Sequence, residues 1–435
     1  MPELETFPTL RQKTKASLKE IIKAQDTREV AAFLTSQFVG FLVFMSLRQI
    51  FPIYLEKSTG QDWGIRWGII VAAYTFGGII TRVPSGYLVE KLGRKTLVIS
   101  SYLVMTLAAG ALAFTQNLIL LATLWIILRS SNNIFGLVSR SLLSDLETKY
   151  KGFYNSIIST SGRFGSLIGI ISLGVLLEFF QPVVMIIFVV VLSVIGGILF
   201  LLIFTKGKGE EKYIERRNDI KNGEKTKLRV QEFTNRTFIF FFIAFTIFGV
   251  MEGFTNPQFS LYGYNIINFS ESLVGTILGL SNISFILVGP VIGFAISHRK
   301  RLIDYMLVSA CILMTLNFLM IFLFPTNPAI FIVFLFVRSA GHALFFPVVM
   351  TILTSELSKK HFTLLYSVIT TAFFLGLAST SYASGVILEK NISYFWLSSF
   401  VTSIVLTILI SSYLITNQRR TKNEKDVSMD FAGLK

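Results

Sequence analysis

Residues 182–205 read PVVMIIFVVVLSVIGGILFLLIFT, a stretch without a single charged side chain. An α-helix rises about 1.5 Å per residue, so roughly 20 apolar residues cross the ~30 Å hydrocarbon core of a bilayer. The stretch therefore predicts a transmembrane helix. The whole chain agrees, because 52% of its 435 residues are hydrophobic and only 15% are charged. A soluble fold of this length could not bury so much apolar surface.

Further apolar runs of similar length lie on both sides of this stretch. Proline occurs only 10 times in the chain, so the runs favour continuous helices over strands. We predict an all-α integral membrane protein with twelve transmembrane helices. The predicted spans cover about residues 31–54, 64–89, 96–115, 118–144, 153–180, 182–205, 237–264, 271–297, 302–324, 328–356, 362–388 and 393–416.

Lysine and arginine concentrate in alternate loops. If the N-terminus is cytoplasmic, 31 of the 40 basic residues fall in cytoplasmic segments, and the outer loops hold only Lys57, Arg66 and Lys390. The positive-inside rule therefore predicts that both termini are cytoplasmic. We expect a multi-pass protein of the plasma membrane, whose net charge of +15 faces lipid headgroups and not nucleic acid.

The longest polar stretch, residues 206–236, carries ten of the basic residues and separates six spans from six. It predicts a cytoplasmic linker that rests against anionic headgroups, with a regulatory site as the alternative. The expected organisation is thus a cytoplasmic N-terminal segment at 1–29, six-helix bundles at 30–205 and 237–416, and a cytoplasmic tail at 417–435.

The two halves resemble each other at an offset of about 210 residues. The sequence Leu128-Arg129-Ser130 in span four corresponds to Val337-Arg338-Ser339 in span ten. Two pseudo-symmetric six-helix bundles can rock about an axis along the membrane normal and expose a shared cavity to each side in turn. This geometry is typical of a transporter.

Residues 86–95, GYLVEKLGRK, resemble the signature that joins helices two and three of the major facilitator superfamily, with Glu90 in place of the usual Asp. The resemblance implies a cytoplasmic latch in which Arg94 reaches Asp145 and Glu90 caps a facing helix. The alternative is that the basic residues only obey the positive-inside rule. The residues of this predicted latch are Gly86, Glu90, Gly93, Arg94, Lys95 and Asp145.

Several charged residues fall inside the predicted spans. An arginine at the centre of a membrane helix costs about 2.5 to 3.5 kcal/mol on insertion scales, so these side chains should face a wet cavity. On its helix, Arg129 shares a face with Asn132 and Asn133, and Arg338 shares one with His342. The residues predicted to line a substrate cavity or to couple transport are Arg48, Arg129, Asn133, Arg163, Glu252, Arg338 and His342.

Arg48 and Glu252 lie at similar heights on helices that are equivalent in the two halves, which predicts an ion pair across the cavity. Two interpretations stay open: a static pair, or a Glu252 that takes up a proton and releases Arg48 during transport.

Other polar side chains are predicted to reach the membrane surface. Arg82 and Arg140 are expected to extend to the cytoplasmic headgroups. Trp63, Trp67 and Trp396 are expected at the outer interface, which indoles prefer.

These features predict a secondary transporter that moves a small organic solute by alternating access. Arg129 resembles an arginine that proton-coupled members of the superfamily carry in helix four, which suggests proton coupling. Mid-depth arginines outnumber acids, so we hypothesise an anionic solute. A solute sensor without turnover is one alternative. A drug/proton antiporter is another, although Gly165 is followed by Ser166 and not by the proline usual in those proteins.

The sequence supports neither a catalytic function nor transport driven by nucleotide hydrolysis. The chain contains no Gly-x-x-x-x-Gly-Lys-Ser/Thr motif, and its three histidines, His298, His342 and His361, lie in separate elements. We therefore expect neither an enzyme nor a bound metal or cofactor. The expected partners are the solute, protons and membrane lipids, with the protein acting as a monomer.

Overall fold

The computed structural model describes residues 27–145, 151–205, 211, 214, 235–298, 302–357 and 362–432. Twelve helices in these ranges are long and apolar enough to cross a membrane, which confirms the predicted spans to within a few residues at most ends. They are α1 Thr27–Thr59, α2 Gly64–Leu92, α3 Arg94–Ala111, α4 Leu118–Asp145, α5 Lys151–Phe179, α6 Pro182–Ile203, α7 Arg236–Thr255, α8 Glu271–His298, α9 Leu302–Leu323, α10 Pro328–Glu356, α11 Phe362–Lys390 and α12 Ile392–Ala432.

The helices form two six-helix bundles, α1–α6 and α7–α12, with the same internal plan. Helix α1 packs along α5 in the first bundle, and α7 packs along α11 in the second. The bundles meet along two seams, where α2 packs against α11 and α5 against α8. These two seams are equivalent under the repeat, so the fold has the predicted pseudo-two-fold symmetry.

Glycines set the close approach of equivalent helices in the two bundles. A Cβ at Gly165 on α5 would lie 2.1 Å from the carbonyl oxygen of Phe38 on α1. A Cβ at Gly376 on α11 would lie 2.1 Å from the carbonyl oxygen of Thr246 on α7. Both positions therefore exclude a side chain, and close backbone packing of this kind substitutes for a hydrophobic driving force between helices in lipid.

The two ends of the molecule carry different loops. The Trp63 end carries the α1–α2 connection, and the Gly93 end carries the α2–α3 connection. Gly93 has φ 89°, a conformation that favours glycine, and its N–H donates to Val89 at 3.0 Å. The positive-inside rule predicts that the Gly93 end is cytoplasmic.

The predicted latch is only partly described. Gly86 lies within α2, Arg94 is fully buried at the start of α3, and Lys95 is exposed beside the ring of Phe204. The side chains of Glu90 and Asp145 lie outside the described structure, so the latch contacts stay a prediction. Residues 1–26 and nearly all of the predicted linker also lie outside it, and α12 continues into the predicted tail.

The three tryptophans expected at the outer interface are in fact inside the protein. Trp63 is 1% exposed, and Trp67 and Trp396 are 0% exposed. Trp67 packs against Phe51 and Trp125, and Trp396 packs against other aromatic rings of the second bundle. All three lie toward the Trp63 end, but aromatic neighbours enclose Trp67 and Trp396, and Trp63 Nε1 donates to Thr59 Oγ1 at 2.9 Å, so the indoles are held inside the protein.

Candidate functional site

A cavity of about 300 Å³ lies between the two bundles, walled by α1, α2, α4, α5, α7, α8, α10, α11 and the turn after α7. This volume is at the lower end of the roughly 300–1,000 Å³ found for small-molecule sites. All seven residues predicted to line a cavity are on its wall, namely Arg48, Arg129, Asn133, Arg163, Glu252, Arg338 and His342. Their roles in binding and coupling stay predictions.

Glu252 is the centre of the polar network in the second bundle, with only 1% of its surface exposed. Arg338 forms a salt bridge with its carboxylate, with the guanidinium Nε 3.2 Å from Oε1. His342 Nε2 is 3.1 Å from the same oxygen, and Asn256 Nδ2 donates to Oε2 at 2.8 Å. One buried carboxylate is thus held by a cation, an imidazole and an amide, as buried charges require.

The predicted direct ion pair between Arg48 and Glu252 is wrong. Arg48 Nη2 donates to Asn256 Oδ1 at 2.9 Å, and Asn256 in turn donates to Glu252. Arg338 forms the direct ion pair with Glu252 instead, because α10 lies in the same bundle as α7. On α10, Arg338 and His342 are one turn apart and face Glu252 together.

Four cavity arginines lie over phenylalanine rings, namely Arg82, Arg129, Arg163 and Arg338. The guanidinium of Arg129 is 4.6 Å from the ring centroid of Phe374 and 5.4 Å from that of Phe44. Because Phe374 is on α11 and Phe44 on α1, rings from both bundles contact this arginine. Contact with ring faces leaves the N–H edge of a guanidinium available for a planar anion.

Arg163 and Arg338 show the same arrangement with one ring each. Arg163 is 4.7 Å from the centroid of Phe285, and its Nη1 donates to Asn282 Oδ1 at 3.3 Å. Arg338 is 4.8 Å from the centroid of Phe259.

Arg82 is a fifth arginine on the cavity wall, and sequence reasoning misplaced it. It is 8% exposed and lies 5.2 Å from the centroid of Phe374, so it does not extend to the headgroups. The side chain of Arg140, predicted to extend in the same way, lies outside the described structure. Among the described wall residues, five arginines accompany Glu252, the one carboxylate.

Several wall residues were not identified from sequence. Asn256 could have been found, because it lies one helical turn after Glu252. Asn282 on α8 and the aromatic partner Phe374 have no local sequence signal that separates them from helix-packing residues. Asn133, which was predicted, donates from Nδ2 to the carbonyl oxygen of Gly78 at 3.3 Å.

Contacts between the bundles close the Trp63 end. Lys57 forms a salt bridge with Glu271 at 2.9 Å, and Trp67 Nε1 donates to the carbonyl oxygen of Pro257 at 2.9 Å. Pro257 lies in a 3₁₀ turn that interrupts the helix after Thr255, which frees carbonyl groups for such contacts.

Two carboxylates also cap helices across this closed end. Glu178, at the end of α5, accepts the N–H of Ser272 at 2.8 Å, and Glu389, at the end of α11, accepts the N–H of Ile65 at 3.1 Å. Ser272 and Ile65 are the second residues of α8 and α2, so the two caps are equivalent under the repeat. Each joins an anion to the positive end of a helix dipole in the other bundle.

Among the residues that the structure describes, no three His, Cys, Asp or Glu side chains are grouped so that they could hold a metal ion. The polar wall instead combines guanidinium, amide and hydroxyl groups, which suit an organic solute better than a hard cation.

Two solved structures share this architecture. A crystal structure of a mutant of the nucleoside transporter NupG is similar with a TM-score of 0.69 and 14% identity, covering 88% of this chain and 99% of that one. The human organic anion transporter MFSD10 is similar with a TM-score of 0.63 and 13% identity, covering 89% of this chain and 100% of that one. At these identities the likeness shows the fold.

The sequence itself gives the family. No curated protein is similar enough in sequence to count as a relative. The profile described as Major Facilitator Superfamily matches residues 33–315 and again residues 242–431, and so covers nearly the whole membrane region. This chain therefore belongs to the major facilitator superfamily, a family of multi-pass membrane transporters.

Proposed function

We propose that this protein is a secondary transporter of the plasma membrane that moves a small organic anion by alternating access, coupled to protons through Glu252. The observation that carries the proposal is the charge of the cavity. Five arginines and one carboxylate line it among the residues that the structure describes, and guanidinium groups at mid-membrane depth are costly unless a counter-charge enters. A solute anion supplies that counter-charge. Human MFSD10 is an organic anion transporter, and the arginines of this chain support the same solute class here.

The two seams between the bundles support alternating access. The bundles are joined at the Trp63 end by Lys57–Glu271 and by the reciprocal caps of α2 and α8. With the Gly93 end cytoplasmic, this arrangement corresponds to a state closed to the outside. Rocking of one bundle against the other would break these contacts and open the cavity outward.

Proton coupling rests on the position of Glu252. Its carboxylate is already satisfied by Arg338, His342 and Asn256. A solute anion held by a cavity arginine such as Arg129 adds a second negative charge to the cavity that contains Glu252, and uptake of a proton by Glu252 relieves the repulsion between the two. Binding of the anion and binding of the proton therefore favour each other, which is the thermodynamic condition for symport.

Flux into proteoliposomes tests this function. We expect radiolabelled anionic solutes from a mixed library to enter faster than neutral and cationic ones, and inward flux to alkalinise the external medium. Equal flux of anions and cations, or anion flux without proton movement, would contradict the anion and the coupling parts respectively. Binding without any flux would identify a solute sensor.

Removing the reciprocal caps should shift the protein toward the outward-open state. In a Cys311→Ser background, which removes the single cysteine, Gln49→Cys on the cavity wall reports access from outside. The double variant Glu178→Ala/Glu389→Ala is expected to raise its labelling rate by an impermeant maleimide about tenfold, because each cap contributes about 0.5 to 2 kcal/mol.

Asp62→Ala is the matched control for these caps. Its Oδ1 accepts the N–H of Gly64 at 2.8 Å, so it caps α2 from within the same bundle. It should leave the labelling rate unchanged. Equal rates for the control and the double variant would show that the caps do not hold the closed state.

A further inference from the structure

The two bundles differ in how well the polar atoms of the cavity wall are satisfied. In the second bundle Glu252, Asn256, Arg338 and His342 are joined in one hydrogen-bonded network. On the wall formed by the first bundle, four buried oxygens have no hydrogen-bond partner among the described residues: Gln37 Oε1, Tyr74 Oη, Thr75 Oγ1 and Asn132 Oδ1.

These four side chains are almost fully buried. Their exposed fractions are 5% for Gln37, 2% for Tyr74, 1% for Thr75 and 4% for Asn132. A buried polar group without a partner costs about 1 to 3 kcal/mol, and folded proteins satisfy the large majority of such groups. Four such groups on one wall of one cavity indicate a surface whose missing hydrogen-bond partners are supplied by a bound ligand.

Three of the four unpartnered groups lie near Arg129, and the fourth, Gln37, lies on the same cavity wall. Tyr74 and Arg129 both contact the ring of Phe44, at centroid distances of 6.3 Å for the tyrosine ring and 5.4 Å for the guanidinium. Asn132 follows Arg129 by one turn of α4, and Thr75 adjoins Tyr74 on α2. Anion recognition and hydrogen bonding are therefore available to the same bound molecule.

The chemistry of the four groups selects the ligand. Two are hydroxyls, which donate and accept, and two are amides, whose oxygen and nitrogen can exchange places by a flip of the side chain. A hydroxyl on the ligand pairs with all of them in either amide orientation, because it is itself donor and acceptor. The cavity volume of about 300 Å³ limits the ligand to a small molecule.

We infer that the substrate is a small polyhydroxylated organic anion, whose acidic group binds Arg129 while its hydroxyls bind Gln37, Tyr74, Thr75 and Asn132. The inference rests on the proposed function and makes it more specific. The acidic group is a carboxylate or a phosphate, since a guanidinium edge binds both.

Calorimetric titration of the purified protein with four probes tests the inference. Gluconate has a carboxylate and hydroxyls, hexanoate has the same carbon number and carboxylate without hydroxyls, glucose has hydroxyls without charge, and glucose 6-phosphate replaces the carboxylate. We expect gluconate or glucose 6-phosphate to bind at least tenfold more tightly than hexanoate and glucose. The tighter of the two identifies the acidic group.

Isosteric variants localise the effect. Tyr74→Phe, Thr75→Val and Asn132→Leu should each weaken binding of the preferred hydroxylated anion by up to about tenfold and leave hexanoate binding unchanged. Tyr102→Phe is the control, because the Tyr102 hydroxyl already donates to the carbonyl oxygen of Ser36 at 3.1 Å. Tyr102→Phe should change neither the binding of the hydroxylated anion nor the binding of hexanoate.

The outcomes separate this inference from the proposed function. Hydroxyl-dependent binding without flux in proteoliposomes would support the inference and overturn transport. Equal binding of gluconate and hexanoate, unaffected by the three variants, would overturn the inference even if anions are transported, and would assign the four oxygens to bridging water. Absence of binding by all four probes would overturn it as well.

Discussion

Replacing Glu252 with glutamine is expected to abolish solute accumulation driven by a pH gradient while solute exchange continues. Glutamine has nearly the shape of the neutral acid, so it cannot alternate between binding Arg338 as an anion and releasing it as a neutral group. With one proton per solute, a gradient of one pH unit supports about tenfold accumulation. Proteoliposomes with the native protein should approach that ratio, and Glu252→Gln should only equilibrate.

The control for this prediction is Glu252→Asp, which keeps a titratable carboxylate beside Arg338 and His342. It should retain pH-driven accumulation at a lower rate, because the shorter side chain weakens the contacts without removing the charge. If Glu252→Gln still accumulates solute under a pH gradient, Glu252 is a static counter-ion of Arg338 and the proton is carried elsewhere.

Helix positions could be predicted from sequence because they depend on local composition. The uncharged run at 182–205 corresponds to α6, Pro182–Ile203, and the repeat correctly indicated two similar bundles. The cavity wall was also partly predictable, since arginines such as Arg129 and Arg163 cannot face lipid at mid-depth. The free-energy cost of placing a charge in lipid applies to each helix separately, so its effect can be recognised in a single sequence.

Contacts between side chains were harder to predict from sequence, because they depend on how the helices are rotated and on which helices are neighbours. Height along the axis suggested that Arg48 meets Glu252, but height does not distinguish the neighbours of α7. Arg82 was misplaced for the same reason, since a residue one turn from a predicted helix end can extend either to lipid or to a cavity. Family membership corrects neither error, because it supplies the fold and not the contacts.

Replacing Arg129 with leucine is expected to lower the kcat/KM for anionic solutes about 100-fold. Arg129 contacts Phe44 and Phe374 through its guanidinium, and no carboxylate among the described residues forms a salt bridge with it. A hydrogen bond to a charged group contributes about 1.5 to 3 kcal/mol, and the upper value corresponds to roughly 100-fold. Initial rates of labelled anion uptake into proteoliposomes measure the effect.

Arg129→Lys and Arg163→Leu separate geometry from charge. Lysine keeps the charge of Arg129 but presents a point cation without the planar fork, so an intermediate loss of about tenfold is expected if two-point binding matters. Arg163 already donates to Asn282, and its loss removes the same cavity charge from the other side. If Arg163→Leu and Arg129→Leu lower uptake equally, and Arg129→Lys restores it fully, the cavity selects anions by its net charge alone. A larger loss at Arg129 that lysine repairs only in part would instead assign the anion to the guanidinium edge between Phe44 and Phe374.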